Sequence, residues 1–403
     1  MFDLKASCQR ITAAYRGERA DRVPIASPIS WHPWRDIDRE KPGGWRADPD
    51  FIRVARLVQE HCDAFGPRPN LHPGGLWSPV TYPRSCSRFT YQRFLEAPDE
   101  LVIEKPVERV GDIRRRHTFV LPTPKGDLTW AYEEDEGIET SWDIRKPVGQ
   151  PEDVETLLSV PFSFKKFASS EYEAFRRHRR EMGRDAICGG QVNSMVAMLV
   201  GIMKYEQMLE WLLTEPERIK LLADTWLERT WARIDFELSQ GVGPFWVFYG
   251  VERAVPPMMS PRQWDEFVVP YDGEIMRRIK ARDPEARIHV HCHGRVSTML
   301  DSWLSLGVDS IDPVEPPPQG DIEFVEAKRR VAGRMTLFGN IEFCLLELGT
   351  PDEVETAVRV ALEEGGKQHM VLWPSSFPLQ RHTPRFTGNA IRYIEAGLNY
   401  GRL

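Results

Sequence analysis

Residues 287–296 read RIHVHCHGRV, a short run that carries three histidines at every second position, His289, His291 and His293. Side chains alternate between the two faces of a β-strand. A strand here would place the three histidines on one face and Cys292 on the other, where its thiol packs as a small apolar group. An amphipathic helical pattern and another β-branched run follow, and this order is typical of a βα unit on a parallel sheet.

Similar units recur along the chain. Short β-branched runs alternate with longer amphipathic segments. We predict strands at 23–29, 186–191, 244–249, 287–293, 310–313, 335–339 and 369–373. About six to eight such units indicate an α/β fold closed into a TIM (β/α)8 barrel. Because no internal repeat, low-complexity tract or long Pro/Gly/Ser linker interrupts the sequence, residues 1–403 are predicted to form a single domain.

One segment departs from this alternation. Residues 116–147 place Thr, Trp and Tyr at alternating positions on either side of a PKGD sequence at 124–127. Alternation around a turn sequence is typical of a β-hairpin. We therefore predict an antiparallel β insertion on the α/β body.

Three segments between the predicted strands have the apolar spacing of helices. They cover residues 205–241, 260–283 and 350–366. Ser260 and Thr350 stand where the last two would begin, each followed by proline, which suits an N-cap and the first helical turn. A closing glycine pair ends the third segment.

The composition excludes several classes of protein. Among 403 residues, 41% are hydrophobic and 28% are charged, which is a globular balance, and the net charge of -7 offers no basic field for nucleic acid. Six cysteines lie far apart without a CxxC pair, so neither a disulfide scaffold nor a zinc ribbon is indicated. No signal peptide and no apolar stretch of membrane-spanning length is found. We expect a soluble cytoplasmic protein.

Polar side chains stand where the predicted strands end. In barrels of this kind the active site forms at the carboxyl ends of the strands. The residues at these ends are Gln191, Asn193, Tyr249, Glu252, His291, His293, Asp312, Glu315, Asn340, Glu342, Ser375 and Ser376. Neither a nucleotide-binding glycine fingerprint nor a GxSxG sequence is present, so the histidines are the stronger lead.

Two histidines two positions apart on a strand can bind one metal ion. Neutral imidazole suits zinc, and a carboxylate from another strand could complete the site, with Glu252 or Glu342 as the candidates. The alternative is that His289 is buried and hydrogen-bonded while His291 and His293 bind substrate oxygens or water. Residues alone leave both interpretations open.

A Trp-rich segment follows the first predicted strand. SWHPWRD brings Trp31, Trp34 and Arg35 close together. Exposed aromatic rings beside an arginine could hold a large flat or anionic ligand. Ordinary packing beneath a loop is the alternative.

Three short sequences follow one another in the second half of the chain. Residues 291–294 read HCHG, 307–309 read GVD and 339–342 read GNIE. Their order resembles the uroporphyrinogen decarboxylase superfamily, which runs through H-x-C-G, a helix, a G-a-D strand and a strand ending G-N-[IL]-[DE]. DRVPI at 21–25 and TPRFTGNAIRYIEAGLNYG at 383–401 fall in the family's order. The resemblance covers almost the whole chain and implies a TIM barrel.

The superfamily has two well-known branches. One decarboxylates uroporphyrinogen without a cofactor and carries an RQAGRY segment after its first strand, where this chain reads SPISWHPWRDIDRE at 27–40. The other comprises corrinoid-dependent methyltransferases, whose zinc is held by an H-x-C motif and a later cysteine. Here His293 stands at the position of the first cysteine and Phe377 near that of the later one. The resemblance is therefore closer in kind to the methyltransferases, with a harder ligand set.

We interpret the chain as a zinc-dependent methyltransferase or demethylase that passes a methyl group between a small substrate and a corrinoid carried by a partner protein. His291, His293 and Glu252 are the predicted metal ligands. The predicted catalytic residues are Glu252, Tyr249 and Asp312, and the predicted substrate-binding residues are Trp31, Trp34, Arg35, Gln191, Asn193, Asn340 and Glu342.

Two alternatives remain at this stage. One is a metal-free decarboxylase of uroporphyrinogen or a related polycarboxylate, which would use Arg35, Asp312 and Tyr249. The other is a non-catalytic corrinoid- or tetrapyrrole-binding module in which the histidines ligate the macrocycle. No nucleic acid or membrane is expected as a partner, and a homodimer is compatible with the sequence.

Overall fold

A computed structural model describes residues 3–40, 42–65, 101–138, 141–162, 164, 166, 168–182 and 189–403. Its strands are β1 (Ile103–Glu104), β2 (Glu108–Arg109), β3 (Arg114–Leu121), β4 (Leu128–Asp135), β5 (Ser141–Arg145), β6 (Gly189–Asn193), β7 (Phe245–Tyr249), β8 (Arg287–His291), β9 (Ser310–Val314), β10 (Thr336–Ile341) and β11 (Met370–Pro374). The start of the strand predicted at 186–191 lies outside the described residues.

The α-helices lie mainly between the strands of the second half. They are α1 (Leu4–Arg16), α2 (Ile37–Glu40), α3 (Pro49–His61), α4 (Glu152–Leu158), α5 (Ser169–Met182), α6 (Met195–Ile202), α7 (Tyr205–Thr214), α8 (Pro216–Ser239), α9 (Pro261–Phe267), α10 (Glu274–Arg282), α11 (Leu300–Ser305), α12 (Phe324–Val331), α13 (Phe343–Leu348), α14 (Pro351–Gly365) and α15 (Pro384–Tyr400). Among the described residues, none of these helices is both long and apolar enough to cross a bilayer.

A parallel sheet carries the fold. Its strands follow the order β6, β7, β8, β9, β10 and β11, so neighbours in space are also neighbours along the chain. Next to β11, the N–H of Ala26 donates to the carbonyl of Leu372 and the N–H of Leu372 donates to that of Pro24, each at 2.9 Å. The N–H of Asp63 in turn donates to the carbonyl of Ile25 at 2.7 Å. The predicted α/β class with a parallel sheet is confirmed.

The closed barrel stays a prediction. Among the described residues, hydrogen bonding between neighbouring strands runs from the segment around Asp63 at one end to β6 at the other. Within the same residues, no pairing joins these two ends. The first predicted strand is also shorter than expected. Its backbone pairs with β11 only as far as Ala26, rather than up to residue 29.

A second sheet is antiparallel and wider than the hairpin predicted at 116–147. β3 and β4 pair over eight residues each, β5 lies beside β4, and β1 and β2 pair with β3. The PKGD turn lies between β3 and β4. Phe119 and Trp130 are buried with the body's core. The short strands at 103–109 escaped prediction because two-residue strands carry no periodicity.

The long helical segment predicted at 205–241 is two helices. α7 ends at Thr214 and α8 begins at Pro216, because proline lacks the N–H that a continuous helix needs. Pro270 similarly separates α9 from α10 through a π-helical turn at 269–273. The predicted N-caps Ser260 and Thr350 are both present as capping boxes.

Replacing Thr350 with alanine is expected to lower the free energy of unfolding by about 1 kcal/mol. Thr350 accepts the N–H of Glu353 through its hydroxyl, and Glu353 accepts the N–H of Thr350 in return. Urea unfolding monitored by circular dichroism measures the change. Thr350→Ser keeps the hydroxyl and should retain the stability, whereas equal losses for both variants would contradict this role.

Helix α1 closes the amino end of the parallel sheet. Its Ile11 packs against Phe245 and Val247 of β7, and Ala14 packs against Phe338 of β10. Side chains on this inner face are therefore covered at the amino end of the strands. The carboxyl end is the remaining place where inner side chains can meet a ligand.

Candidate active site at the carboxyl ends of the strands

The carboxyl edge, meaning the edge at which the parallel strands end, has accessible polar and aromatic side chains. The last inner residues of five strands are half-buried, and they are Asn193, Tyr249, His291, Asn340 and Trp373. The inner residues two positions deeper are buried, and they are Gln191, Val247, His289, Phe338 and Val371. Since side chains two apart on a strand share one face, the accessible set forms the upper layer of the sheet's inner face.

Asp312 connects two of the three histidines. His289 Nε2 lies 2.6 Å from Asp312 Oδ1, and His291 Nδ1 lies 3.1 Å from Asp312 Oδ2. The register of β8 and β9 causes this contact, because it sets His291 opposite Asp312. A carboxylate accepts from both rings, so each of these ring nitrogens carries a proton.

A hydrogen-bonded chain continues from His289 towards helix α1. His289 Nδ1 lies 2.7 Å from Ser310 Oγ, which lies 2.6 Å from the hydroxyl of Tyr15. The Ser310 hydroxyl lies between the two rings, so it can donate to His289 Nδ1 while it accepts from the Tyr15 hydroxyl. His289 is 5% exposed, which agrees with the buried, hydrogen-bonded role considered for it above.

His293 has a carboxylate of its own. It lies just after β8, which ends at His291 rather than at the predicted residue 293. Glu315 Oε1 lies 3.0 Å from His293 Nδ1, and Glu315 Oε2 accepts the N–H of Gly294 at 2.6 Å. Gly294 has φ +87°, a left-handed conformation that glycine adopts without a steric penalty.

His291 and His293 each keep one ring nitrogen, Nε2, that the carboxylates do not contact. Their rings lie 4.8 Å apart between centroids and nearly perpendicular, at 89°. Both Nδ1 atoms are engaged by carboxylates, while Nε2 of His291 and of His293 has no hydrogen-bond partner among the described residues. A metal-binding histidine characteristically donates its other N–H to a carboxylate in this way.

Charges at the site shift the pKa values of its central pair. Burial alone would raise the pKa of Asp312, but His291 and His289 outweigh burial and hold it well below its usual range. Burial alone would lower the pKa of His291, yet Asp312, Glu252 and Glu315 together raise it above its ordinary value. Asp312 is therefore a carboxylate, and it lies beside a His291 imidazole whose pKa is raised.

Glu252 follows β7 in a short 3₁₀ turn, Val251–Ala254. Its Oε1 lies 3.9 Å from Arg253, and its buried Oε2 has no hydrogen-bond partner in the described part of the chain. A buried carboxylate oxygen without a partner is costly unless a proton, a water or a cation meets it. Glu252 also contributes negative charge at His291, and its role as the third metal ligand stays a prediction.

The three predicted ligands do not form a ready-made metal site. Within the described ranges, no group of three His, Cys, Asp or Glu side chains is arranged to hold a metal ion. The donor types, two imidazole nitrogens and a carboxylate oxygen, are nevertheless ones that zinc binds. Cys292 does not join them, because it is buried in the core and burial raises the pKa of its thiol.

The other predicted site residues lie in different surroundings. Tyr249 is 5.4 Å from His291 between ring centroids, and Asn340 stands beside Trp373 in the register of β10 and β11. Glu342 caps helix α13 through the N–H of Cys344. Gln191 is buried in β6.

The Trp-rich segment packs against itself and against neighbouring helices. Trp31 is 2% exposed and meets Phe51 edge to face, while the Arg35 guanidinium lies 4.1 Å from the Trp31 ring. Arg35 also pairs with Glu40 at 2.6 Å. Trp34 stacks on His32 at 5.0 Å. The burial of Trp31 therefore supports ordinary packing, rather than ligand binding, for this residue.

Sequence reasoning missed four residues that contact the site or the side chains beneath it. Glu315 was noted at a strand end but given no role, and Tyr15, Phe65 and Trp373 were not considered. For Trp373 a signal existed, since it stands two positions after the inner Val371 on the same strand. For Tyr15 and Phe65 none did, because their proximity depends on how α1 and the chain after α3 pack.

A parallel sheet with histidine–carboxylate pairs at its carboxyl edge defines the chain as an α/β protein with a candidate acid–base site. A family model described as "Uroporphyrinogen decarboxylase (URO-D)" matches residues 130–375. The chain belongs to this family.

Individual relatives are distant. The chain is 24% identical over 191 residues to a uroporphyrinogen decarboxylase of Prochlorococcus marinus (strain NATL1A) and 22% identical over 206 residues to that of Parasynechococcus marenigrum (strain WH8102). These matches cover 47% and 49% of this chain and 50% and 55% of the relatives. The chain thus spans about half the length of the curated relatives it matches.

Among solved structures, a methyltransferase from Methanosarcina mazei is similar over the full length. The TM-score is 0.53, the sequence identity is 14%, and 99% of each chain is covered. At this identity the similarity concerns the fold.

Proposed function

We propose that the chain is a zinc-dependent methyltransferase or demethylase that moves a methyl group between a small substrate and a corrinoid carried by a partner protein. The observation that carries the proposal is the pair of histidines whose Nδ1 atoms contact Asp312 and Glu315 while both Nε2 atoms are free. The fold shared with a methyltransferase supports it. The sheet is further proposed to close into an eight-stranded barrel, as this family's architecture implies.

His291 and His293 would hold the zinc through Nε2, and Glu252 would supply the third ligand through Oε2. Bound there, zinc would act as a Lewis acid towards an ether or hydroxyl oxygen. Asp312 and Glu315 would orient the two rings by accepting hydrogen bonds from their Nδ1 atoms. Tyr249 and Asn340, which are half-buried at the same edge of the sheet, would contact the substrate.

Electrostatics favours methyl transfer over the decarboxylation of a polycarboxylate. Asp312, Glu252 and Glu315 place negative charge around His291. None of the last inner residues of the parallel strands is Lys or Arg. A substrate with many carboxylates would need several cations here. Arg35, the cation named for that alternative, is already paired with Glu40.

Zinc analysis of the purified full-length chain tests the metal site. We expect about one zinc per chain in the wild type and in His61→Ala, whose side chain is exposed on α3. His293→Ala and His291→Ala should each lose it, because a two-ligand site binds zinc far more weakly than a three-ligand site. Zinc absent from the wild type, or unchanged in both site variants, would contradict the proposal.

Activity separates the proposed function from its alternative. The chain is mixed with a reduced corrinoid protein and a methyl donor, and methylation of the corrinoid is followed by visible absorbance. Turnover that depends on His293 supports methyl transfer. Release of carbon dioxide from uroporphyrinogen at an enzymatic rate, unaffected by His293→Ala, would support the decarboxylase instead.

A further inference from the structure

A hydrogen-bonded chain reaches the candidate site from helix α1, at the opposite end of the sheet. The Tyr15 hydroxyl lies 2.6 Å from Ser310 Oγ, which lies 2.7 Å from His289 Nδ1. His289 Nε2 lies 2.6 Å from Asp312 Oδ1, and the second oxygen of Asp312 lies 3.1 Å from His291 Nδ1. Tyr15 and Ser310 are therefore linked to His291 through two other side chains.

The register of β8 and β9 accounts for the central links of this chain. Ser310 stands opposite His289, and Asp312 stands two positions further along β9 on the same face. Ser310 is 0% exposed, Asp312 4% and His289 5%. A buried polar group that loses its partner carries the full cost of its desolvation. Each of these three groups therefore depends on the others for its hydrogen bonds.

Two orientations of the His289 ring occupy nearly the same space, and they differ by half a turn about the Cβ–Cγ bond. Phe245 and Phe338 flank the ring, with centroids 5.5 Å and 4.8 Å from its own. These apolar contacts distinguish little between the orientations, because the ring keeps the same plane in both. Hydrogen bonds do distinguish them, since the turned ring would point carbon atoms at Ser310 Oγ and Asp312 Oδ1. Ser310 thus provides one of the two hydrogen bonds that hold Nε2 towards Asp312.

Tyr15 influences how the Ser310 hydroxyl is used. Burial raises the pKa of Tyr15, and the Arg287 guanidinium, whose carbon lies 5.1 Å from the centre of the Tyr15 ring, does not outweigh that effect. Tyr15 therefore keeps its proton and can donate it to Ser310 Oγ. A Ser310 hydroxyl that accepts from Tyr15 has its own proton left for His289 Nδ1. With Nδ1 as the acceptor, a neutral His289 carries its proton on Nε2, where Asp312 accepts it.

We propose that Tyr15 and Ser310 are positioning residues for His291. They hold the His289 ring with Nε2 towards Asp312, and this contact keeps the Asp312 carboxylate in place to accept from His291 Nδ1. Hydrogen bonds in such a chain strengthen one another where the local dielectric constant is low. The consequence for zinc binding rests on the proposed function, whereas the consequence for the His289 ring does not.

Exchange of the His289 ring proton tests the first step. In the zinc-free, full-length chain with 15N-labelled histidines, the Nε2–H signal of His289 is identified by its loss in His289→Gln. Tyr15→Phe and Ser310→Ala should each accelerate its exchange with solvent by about tenfold, because a ring held less firmly at Nδ1 leaves Asp312 more often. A wild-type His289 without a protected Nε2–H, or unchanged exchange in both variants, would overturn the inference.

Zinc affinity tests the second step, through competition with a chromophoric chelator. We expect the dissociation constant to rise by about 3–10-fold in both variants, which is less than the roughly 10–100-fold usual for a group in direct contact with a metal-binding histidine. Faster proton exchange combined with an unaltered zinc affinity would contradict a positioning role for His291.

Tyr393→Phe is the matched control. Tyr393 is also buried, and its hydroxyl donates to the carbonyl of Leu372 at 3.0 Å, outside the chain that leads to His291. Loss of this hydroxyl should change neither the proton exchange of His289 nor the zinc affinity. Changes as large as those in Tyr15→Phe would mean that any buried tyrosine hydroxyl has this effect, contrary to the inference.

Zinc content and methyl transfer are measured in the same preparations, and circular dichroism checks that each variant is folded. Tyr15→Phe keeps the ring and protects the test should Ser310→Ala fail to fold. A wild type without zinc would reject the proposed function, and exchange of the His289 proton would then decide the inference by itself. Zinc-dependent methyl transfer, with proton exchange and zinc affinity unchanged in both variants, would reject the inference alone.

Discussion

Replacing Asp63 with alanine is expected to lower the free energy of unfolding by about 3–5 kcal/mol, because it leaves a buried guanidinium without its carboxylate. Asp63 is 1% exposed and Arg22 is 7% exposed. Arg22 Nη1 donates to Asp63 Oδ2 at 2.6 Å, and Arg10 Nη1 donates to Oδ1 at 3.2 Å. Asp63 also accepts the N–H of Ile25 at 2.9 Å.

This effect would spread beyond one ion pair, since Asp63 joins three parts of the chain. Arg10 lies on α1, Arg22 immediately precedes the segment that pairs with β11, and Asp63 follows α3. Losing the carboxylate removes the link between the helix that covers the amino end of the sheet and the strand segment beside β11. Buried charge without compensation is among the largest single-residue costs in folded proteins.

Asp21→Ala provides the matched control, because Asp21 pairs with the same Arg10 from a largely exposed position. Exposed pairs contribute about 0–1 kcal/mol. Urea unfolding followed by fluorescence compares the two variants. Losses of similar size would mean that burial of Asp63 contributes little, contrary to this account.

Replacing Asp312 with asparagine should weaken zinc binding by about 10–100-fold, the usual result of removing a carboxylate behind a metal-binding histidine. Asparagine has nearly the same shape but no charge, and its single side-chain oxygen can replace only one of the two carboxylate oxygens that accept hydrogen bonds from the rings. His291 would lose the charge that most strongly raises its pKa. Methyl transfer should fall at least in proportion.

The pH dependence of stability in the zinc-free protein gives a second readout. The pKa of His291 is raised in the folded state, so its stabilising contribution is fully present below the unfolded value of about 6.5 and is lost as pH rises through the folded pKa. The pKa of Asp312 is depressed, so its contribution is present above about pH 4 and is lost in acid.

Asp312→Asn should therefore cost more stability at pH 5.5 than at pH 8.5. Urea unfolding of the zinc-free proteins at both pH values measures the difference. Glu326→Gln on the exposed face of α12 is the control and should show little dependence over this range. A wild-type advantage that grows between pH 5.5 and 8.5 would falsify the His291–Asp312 coupling.

Much of the fold could be predicted from periodicity. Five of the predicted strands, beginning at 244, 287, 310, 335 and 369, lie within two residues of observed strands. Local patterns suffice there, because each strand is a short β-branched run bounded by helices with recognisable caps. Ser260 and Thr350 show this most directly, as both cap helices through their own side chains.

The predicted bounds of helices and strands were wrong where a single proline or glycine ends the element. The segment 205–241 keeps its apolar spacing across residue 215, yet Pro216 divides it into α7 and α8. The strand at 287–293 ends two residues early because Gly294 turns the chain so that its N–H reaches Glu315. Periodicity reports burial and does not by itself report where backbone hydrogen bonding stops.

The position of several candidate residues in the fold could be predicted. The H-x-H pair and Asp312 stand at strand ends, and the parallel order of the strands brings such ends to one edge. Glu315 as the partner of His293 was not predictable, since the contact depends on the conformation of two loops. Trp31, proposed as a ligand contact, is buried against Phe51.

The sequence by itself determined the alternation of strands and helices, the common face of His289 and His291, and the helix ends, because each depends on residues a few positions apart. Only the tertiary structure decided which carboxylate meets which histidine and that Tyr15 reaches Ser310, 295 residues away. It also brought Trp373 and Phe65 together. Such contacts depend on strand register and helix packing, which are set by the summed burial of many distant side chains rather than by any local pattern.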